Sequence, residues 1–235
     1  MNVPNTDHLN TYITKLPVAS PAEAIALLRK IEEVGKDIPG TGEKLIPLLH
    51  HRDYLVLSRV FIALNRIKDP QVSGPLLDYL DTRPGEEWEL RVLECLYYLN
   101  DQRVIPRVSS LLDWHDAPLL IRGAVWLLGY LGGEEALEIL LEFAVHPKSR
   151  IVKSEVILEA IALAIKSLPA GPEYGEEIIR RDPVLTRYFR YSRLPEVDPP
   201  RFFVYPYPDY LLDQAKARGI KAKEFKKLYY REREI

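Results

Sequence analysis

The sequence predicts an all-α chain: a right-handed α-solenoid of about five helix pairs with an extended, aromatic- and proline-rich C-terminal tail. Three observations predict it. Arg59, Arg91, Arg122 and Lys153 recur at steps of 32, 31 and 31 residues. A leucine follows each of them five residues later, at Leu64, Leu96, Leu127 and Leu158. A short break then separates this helical pattern from a second one, at Lys68-Asp69-Pro70, Asn100-Asp101 and Gly132-Gly133. Self-similarity at such a period is the signature of a stacked repeat.

Each unit reads as two helices of about three turns joined by a tight turn. Segments 57–80, 89–112 and 120–143 align over their length. In the second, Leu93, Leu96 and Leu99 carry one apolar stripe, and Val104, Val108, Leu111 and Leu112 carry the other. A lone pair cannot bury both stripes, so each unit must stack on its neighbours into a continuous core.

The bulk properties agree. Of 235 residues, 47% are apolar and 28% charged, as in an ordinary globular chain that needs neither disulfide nor metal to fold. The single cysteine, Cys95, excludes an intrachain disulfide framework and any multi-cysteine zinc site. No apolar run approaches the roughly 18 residues that span a bilayer, so no membrane span is expected. The first seventeen residues show no basic start followed by an apolar core, so no signal peptide is expected and the default address is cytoplasmic. The net charge is −2 but uneven: −6 over residues 1–200 and +4 over residues 201–235. An acidic body and a basic tail call for the tail to fold back or to meet an acidic partner.

The repeated order is a hydrophobic residue and Arg, an apolar helix, Leu with Gly or Asn, a turn with Asp, and a second apolar helix. It resembles the HEAT-like repeats named after phycobilisome lyases, over about residues 53–165. Asp53 and Asp116 stand six residues before Arg59 and Arg122, a spacing similar to that of HEAT repeats, where such residues form a ladder between units. The resemblance implies a structural ladder of Asp53, Arg59, Arg91, Asp116 and Arg122. The second copy departs from it with Gly85 in the Asp place, and the fourth with Pro147 and Lys153. The family it resembles includes bilin-attachment proteins and adaptors.

The remaining organisation follows from local signals. Residues 1–19 read as an N-terminal arm in extended form, 20–182 as the solenoid, and 183–235 as a C-terminal helix, a Pro/aromatic extended segment and basic helices. Ser20-Pro21-Ala22-Glu23 is a capping box that opens a helix ending at Gly35. A second helix is expected from about Gly42 through Leu49, making an atypical first pair. The fourth repeat's helix is expected from Val152 to Leu168, with short helices at 173–181 and 183–190. Five prolines in 195–208 forbid helix there, and Asp209–Arg218 and Lys221–Arg233 read as two closing helices.

No catalytic constellation stands out. Pro39–Lys44 lacks the preceding strand and following Ser or Thr of a phosphate loop and reads as a turn. His50, His51, His115 and His146 fall at ends of second helices, too far apart to share an ion, and read as partners of free carbonyls there. Glu86-Glu87, Glu134-Glu135 and Glu176-Glu177 fall at helix starts, where negative charge is stabilised. Cys95 replaces Ala63 of the preceding repeat and reads as a small core residue, and Trp126 is in register with it. Tyr98 and Trp114 are candidates for the surface. No metal and no cofactor are expected.

The best functional expectation is a non-catalytic protein–protein interaction module, an adaptor, scaffold or assembly factor. Its concave face, lined by second helices, is expected to present Asp78, Asp81, Arg107, Asp113, Trp114, Glu138 and Glu142 to a protein partner of basic or peptide-like character. The tail reads as a cap on the solenoid. It also reads as a partner-binding arm, with Phe202, Phe203, Tyr205 and Tyr207 as anchors and Lys223, Lys226 and Lys227 as cations. The alternative implied by the resemblance is a bilin lyase-like tetrapyrrole-attachment protein or chaperone. A second alternative is nucleic-acid binding through the basic tail, against which the acidic body argues.

Overall fold

The computed structural model describes residues 6–168. Among them stand nine α-helices: α1 (Thr6–Lys15), α2 (Pro21–Gly35), α3 (Tyr54–Ile67), α4 (Ser73–Asp81), α5 (Glu86–Leu99), α6 (Ile105–Trp114), α7 (Pro118–Leu131), α8 (Gly133–Val145) and α9 (Ser154–Lys166). No strand occurs among the described residues. The helices alternate along the chain as the repeat demands. α2 is followed by a 3-10 helix over Glu43–His50, α3 by α4, α5 by α6 and α7 by α8, and α9 opens the next unit.

The pairs stack as an all-α solenoid. α3 lies between α2 and α5, and α7 lies between α5 and α9. In the other layer α6 packs on α7 and α8, and α8 packs on α9. The first helices therefore have neighbours on most sides. In α7 every residue from Gly123 to Gly129 is buried, which is why its sequence holds a single charge, Arg122. One hydrophobic cluster runs without interruption from Leu9 to Leu168. The repeat leucines Leu64, Leu96 and Leu127 are buried in it, and Leu158 packs partly buried against it.

Caps explain the helix limits. Ser20 Oγ accepts the Glu23 N–H while Glu23 Oε2 accepts the Ser20 N–H at 2.9 Å, the capping box expected from sequence. Asp53 Oδ1 accepts from the Leu55 and Val56 N–H groups at 2.9 and 3.1 Å and opens α3. Within a unit, the first helix ends on a left-handed residue, Lys68 (φ 53°) or Asn100 (φ 50°). An aspartate then accepts from the residue two further on: Asp69 from Gln71 and Asp101 from Arg103. Asp69 also reaches across to accept the Gly42 N–H at 3.0 Å, joining two units. The Asp101 carboxyl lies below its ordinary range, chiefly because Arg103 donates to it.

Three sequence expectations are corrected. Thr6–Lys15, expected in an extended arm, is helical; Leu9 and Leu16 are buried, with Tyr12 and Ile13 against the core, a helical spacing among polar neighbours. The helix expected through Leu49 is a 3-10 helix, because Pro47 inside it offers no N–H and crowds the preceding turn. The helix expected from Val152 spans Ser154–Lys166, with a 3-10 turn at Pro147–Ile151 before it and Lys153 at its N-cap. The helices expected beyond residue 168, the Pro/aromatic segment and the basic helices lie outside the described residues. So do Phe202, Phe203, Tyr205, Tyr207, Lys223, Lys226 and Lys227.

Two glycines give opposite expectations. A Cβ on Gly129 would stand 2.5 Å from the Ala160 carbonyl oxygen, so α7 and α9 touch there through bare backbone. Gly129→Ala forces the two helices apart and should destabilise by about 1–3 kcal/mol. A Cβ on Gly74 meets nothing within 4 Å, so Gly74→Ala should be neutral or stabilise by up to about 1 kcal/mol through helix propensity. Urea denaturation of the two variants checks the difference in sign.

Candidate interaction site

The buried charges of the first helices include two ion-paired groups. Glu32 of α2 accepts from Arg59 and Arg66 of α3, one carboxylate oxygen to each. Arg59 and Glu32 are both 6% exposed. Arg91, 2% exposed, donates from Nη1 to Glu94 Oε2 at 2.9 Å. Burial pushes the Arg122 guanidinium below its ordinary range. Arg59 and Arg91 are thus part of the core rather than a rack for phosphates, whereas Lys153, the last of the series, is exposed. Of the aspartates in the expected ladder, Asp53 caps α3, and Asp116 Oδ1 lies 3.2 Å from Lys148 Nζ.

The histidines do not serve the last carbonyls of their helices. His51, His115 and His146 each accept at Nδ1 from the N–H two residues on, at 3.0, 3.2 and 3.2 Å. Each thus shapes the link from one unit to the next, and the accepted bond puts the ring proton on Nε2. His115 spends that proton on the buried Glu89, 3.2 Å away. His50 meets the Tyr79 ring edge-on at 5.5 Å. No group of three His, Cys, Asp or Glu among the described residues could hold a metal ion. Cys95 is buried, and burial pushes its thiol well above the ordinary range, leaving it protonated and unreactive.

The aromatics divide between core and surface. Trp126 is buried. Trp88 stacks on Phe61 at 5.7 Å and tilts against Tyr54 at 4.9 Å. At the far ends of α5 and α7, Tyr97 sits 4.1 Å from Tyr130 and 5.1 Å from Tyr98, with Lys68 over the Tyr98 ring. Half-burial raises the Tyr98 phenol to about 12. Trp114 is 37% exposed and carries Arg83 over its face at 4.8 Å.

The second helices present the other charges. Asp78 and Asp81 on α4, Arg107, Asp113 and Trp114 on α6, and Glu138 and Glu142 on α8 are all exposed. Arg107 pairs with Asp81 across α4 and α6. Between α6 and α8 lies an open groove of ≈ 180 Å³, lined by Ser109, Leu112, Asp113, Ile139, Glu142, Phe143 and His146. Two of the seven residues expected on this face, Asp113 and Glu142, therefore meet at one recess. Asp81 and Arg107 satisfy each other one unit away. The groove's floor was not anticipated from sequence, although Ile139, Glu142, Phe143 and His146 sit at the helical spacing that would have placed them on one side of α8.

The two kinds of ion pair should differ in worth. Glu32→Ala leaves the buried Arg59 without this partner and should cost about 3–5 kcal/mol. Asp81→Ala opens an exposed pair and should cost less than about 1 kcal/mol. Denaturant midpoints of both variants, at low and high salt, test the contrast.

A comparison with curated proteins finds no match to the chain. Residues 75–162, from α4 to α9, match the family model of HEAT repeats. Stacked helices, Asp-led turns and this match together give residues 75–162 the character of HEAT repeats, within an all-α solenoid that runs through the described residues.

Proposed function

We propose that the chain is a non-catalytic interaction module, an adaptor or assembly factor, that binds a protein partner on the face of its second helices. The observation that carries the reading is the sorting of charge between the two layers. First-helix charges such as Arg59, Glu32, Arg91 and Glu94 are buried and paired, whereas second-helix carboxylates are exposed in a row over α4, α6 and α8. Buried pairs shape the solenoid. Exposed carboxylates on a rigid face cost the fold nothing and remain available to a partner. An acidic face repels a phosphodiester backbone, which favours a protein partner over nucleic acid. The tail aromatics Phe202, Phe203, Tyr205 and Tyr207 belong to this proposal as a second contact, extending the bound surface beyond the groove.

The test is capture from native lysate on the immobilised full-length chain, read by mass spectrometry and an absorbance scan of the eluate. Three forms are compared: wild type, the face variant Asp78→Lys/Glu138→Lys, and the tail variant Phe202→Ala/Phe203→Ala. A stoichiometric protein held by wild type and lost from the face variant is the expected result. Retention by the face variant with loss from the tail variant moves the site to the tail. A coloured eluate replaces the adaptor reading by a bilin-attachment protein.

A further inference from the structure

The groove between α6 and α8 has a more specific chemistry than the face around it. Its floor is apolar: Leu112 and Phe143 are buried core residues and Ile139 packs partly buried beside them. Its rim is anionic on both sides, with Asp113 from α6 and Glu142 from α8. Neither carboxylate has an ion-pair partner among the described residues. Arg107 of α6 and Lys148 just after α8 are otherwise engaged. Arg107 on α6 is tied to Asp81. Lys148 donates to the Asp113 and His115 carbonyl oxygens and lies 3.2 Å from Asp116. α8 itself carries Glu134, Glu135, Glu138 and Glu142 and no lysine or arginine.

We infer that this groove takes a lysine or arginine side chain from a basic peptide segment of the partner protein. The inference rests on the second-helix face being the binding surface and names the chemistry of what it binds. An apolar floor under two facing carboxylates matches the two-part character of a long cationic side chain. The methylene stem lies on Leu112, Ile139 and Phe143, and the head group reaches Asp113 and Glu142 at the rim. A recess of ≈ 180 Å³ is sized for side chains rather than for a helix or a cofactor. The Ser109 hydroxyl adds an acceptor to the lining, and His146, whose Nδ1 is occupied by the Lys148 N–H, adds a ring wall. A neutral or acidic peptide gains the floor but leaves the carboxylates either desolvated without partners or opposed by like charge.

The test is fluorescence anisotropy with the full-length chain and two labelled twelve-residue peptides, one alternating lysine and leucine, the other glutamate and leucine. The isosteric variant Asp113→Asn/Glu142→Gln removes the rim charge. The control variant Glu134→Gln/Glu135→Gln removes the same charge from the start of α8, away from the groove. The lysine peptide should bind wild type, weaken about tenfold with the groove variant and much less with the control. The glutamate peptide should not bind. Equal weakening by both variants would reduce the effect to general charge and overturn the inference. So would failure of the lysine peptide to bind while the face variant Asp78→Lys/Glu138→Lys still loses the lysate partner, an outcome that leaves the face as the binding surface. A lysine peptide that gains affinity when Lys223, Lys226 and Lys227 are changed to glutamine would assign the groove to the chain's own basic segment and overturn the partner assignment.

Discussion

A helix pair of this sequence has two apolar stripes and only one partner helix of its own, and the rest of the structure depends on that mismatch. The uncovered stripe is satisfied only by the next unit, so the core is built between units as much as within them. α7 shows the result: it is buried from Gly123 to Gly129 because α5 and α9 flank it and α6 and α8 pack on it. The same need explains why Gly129 has no side chain. Ala160 of α9 approaches its backbone so closely that a Cβ has no room. Stability in such an array spreads through nearest-neighbour contacts rather than from one central nucleus.

Stacking sets which surfaces meet, and short polar devices set the angles at which they meet. Inside a unit the turn is made by a left-handed residue followed by a capping aspartate, as at Lys68-Asp69 and Asn100-Asp101. Between units the device changes to a histidine whose Nδ1 takes the N–H two residues on, as at His51, His115 and His146. Both closures orient the chain for the next helix without burying an unpaired backbone donor. The Asp69 carboxylate does this twice, for its own turn and for Gly42 of the preceding unit. Geometry is thus transmitted along the stack by hydrogen bonds as well as by packing.

The division of labour between layers gives the molecule its functional character. First helices bury charge where it is neutralised inside the protein, through Glu32 with Arg59 and Arg66 and through Arg91 with Glu94. Second helices carry charge outward. A rigid array that buries ion pairs on one layer leaves exposed acidic residues of the other, such as Asp113 and Glu142, to select a partner by charge and shape. At the α6–α8 groove that outward charge borders a recess lined by the core residues Leu112 and Phe143.

How much was legible follows the range of each interaction. The repeat, the helix pairs, the capping box at Ser20, the aspartate turns and the core places of Cys95 and Trp126 could all be read from the order of residues. Each depends on neighbours a few positions away or on a pattern repeated along the chain. α1 escaped because its stripe of Leu9, Tyr12, Ile13 and Leu16 is diluted by polar residues and acquires meaning only against α2. The partners of Arg59 and Asp116, and the floor of the groove, lie between units, about 27 to 32 residues apart in sequence. By itself the sequence determined that helix pairs form and that they must stack. Only the tertiary structure decided which charges were buried in pairs and which were left facing outward, because that choice depends on the offset between successive units, set by the contacts and hydrogen bonds that stacking creates.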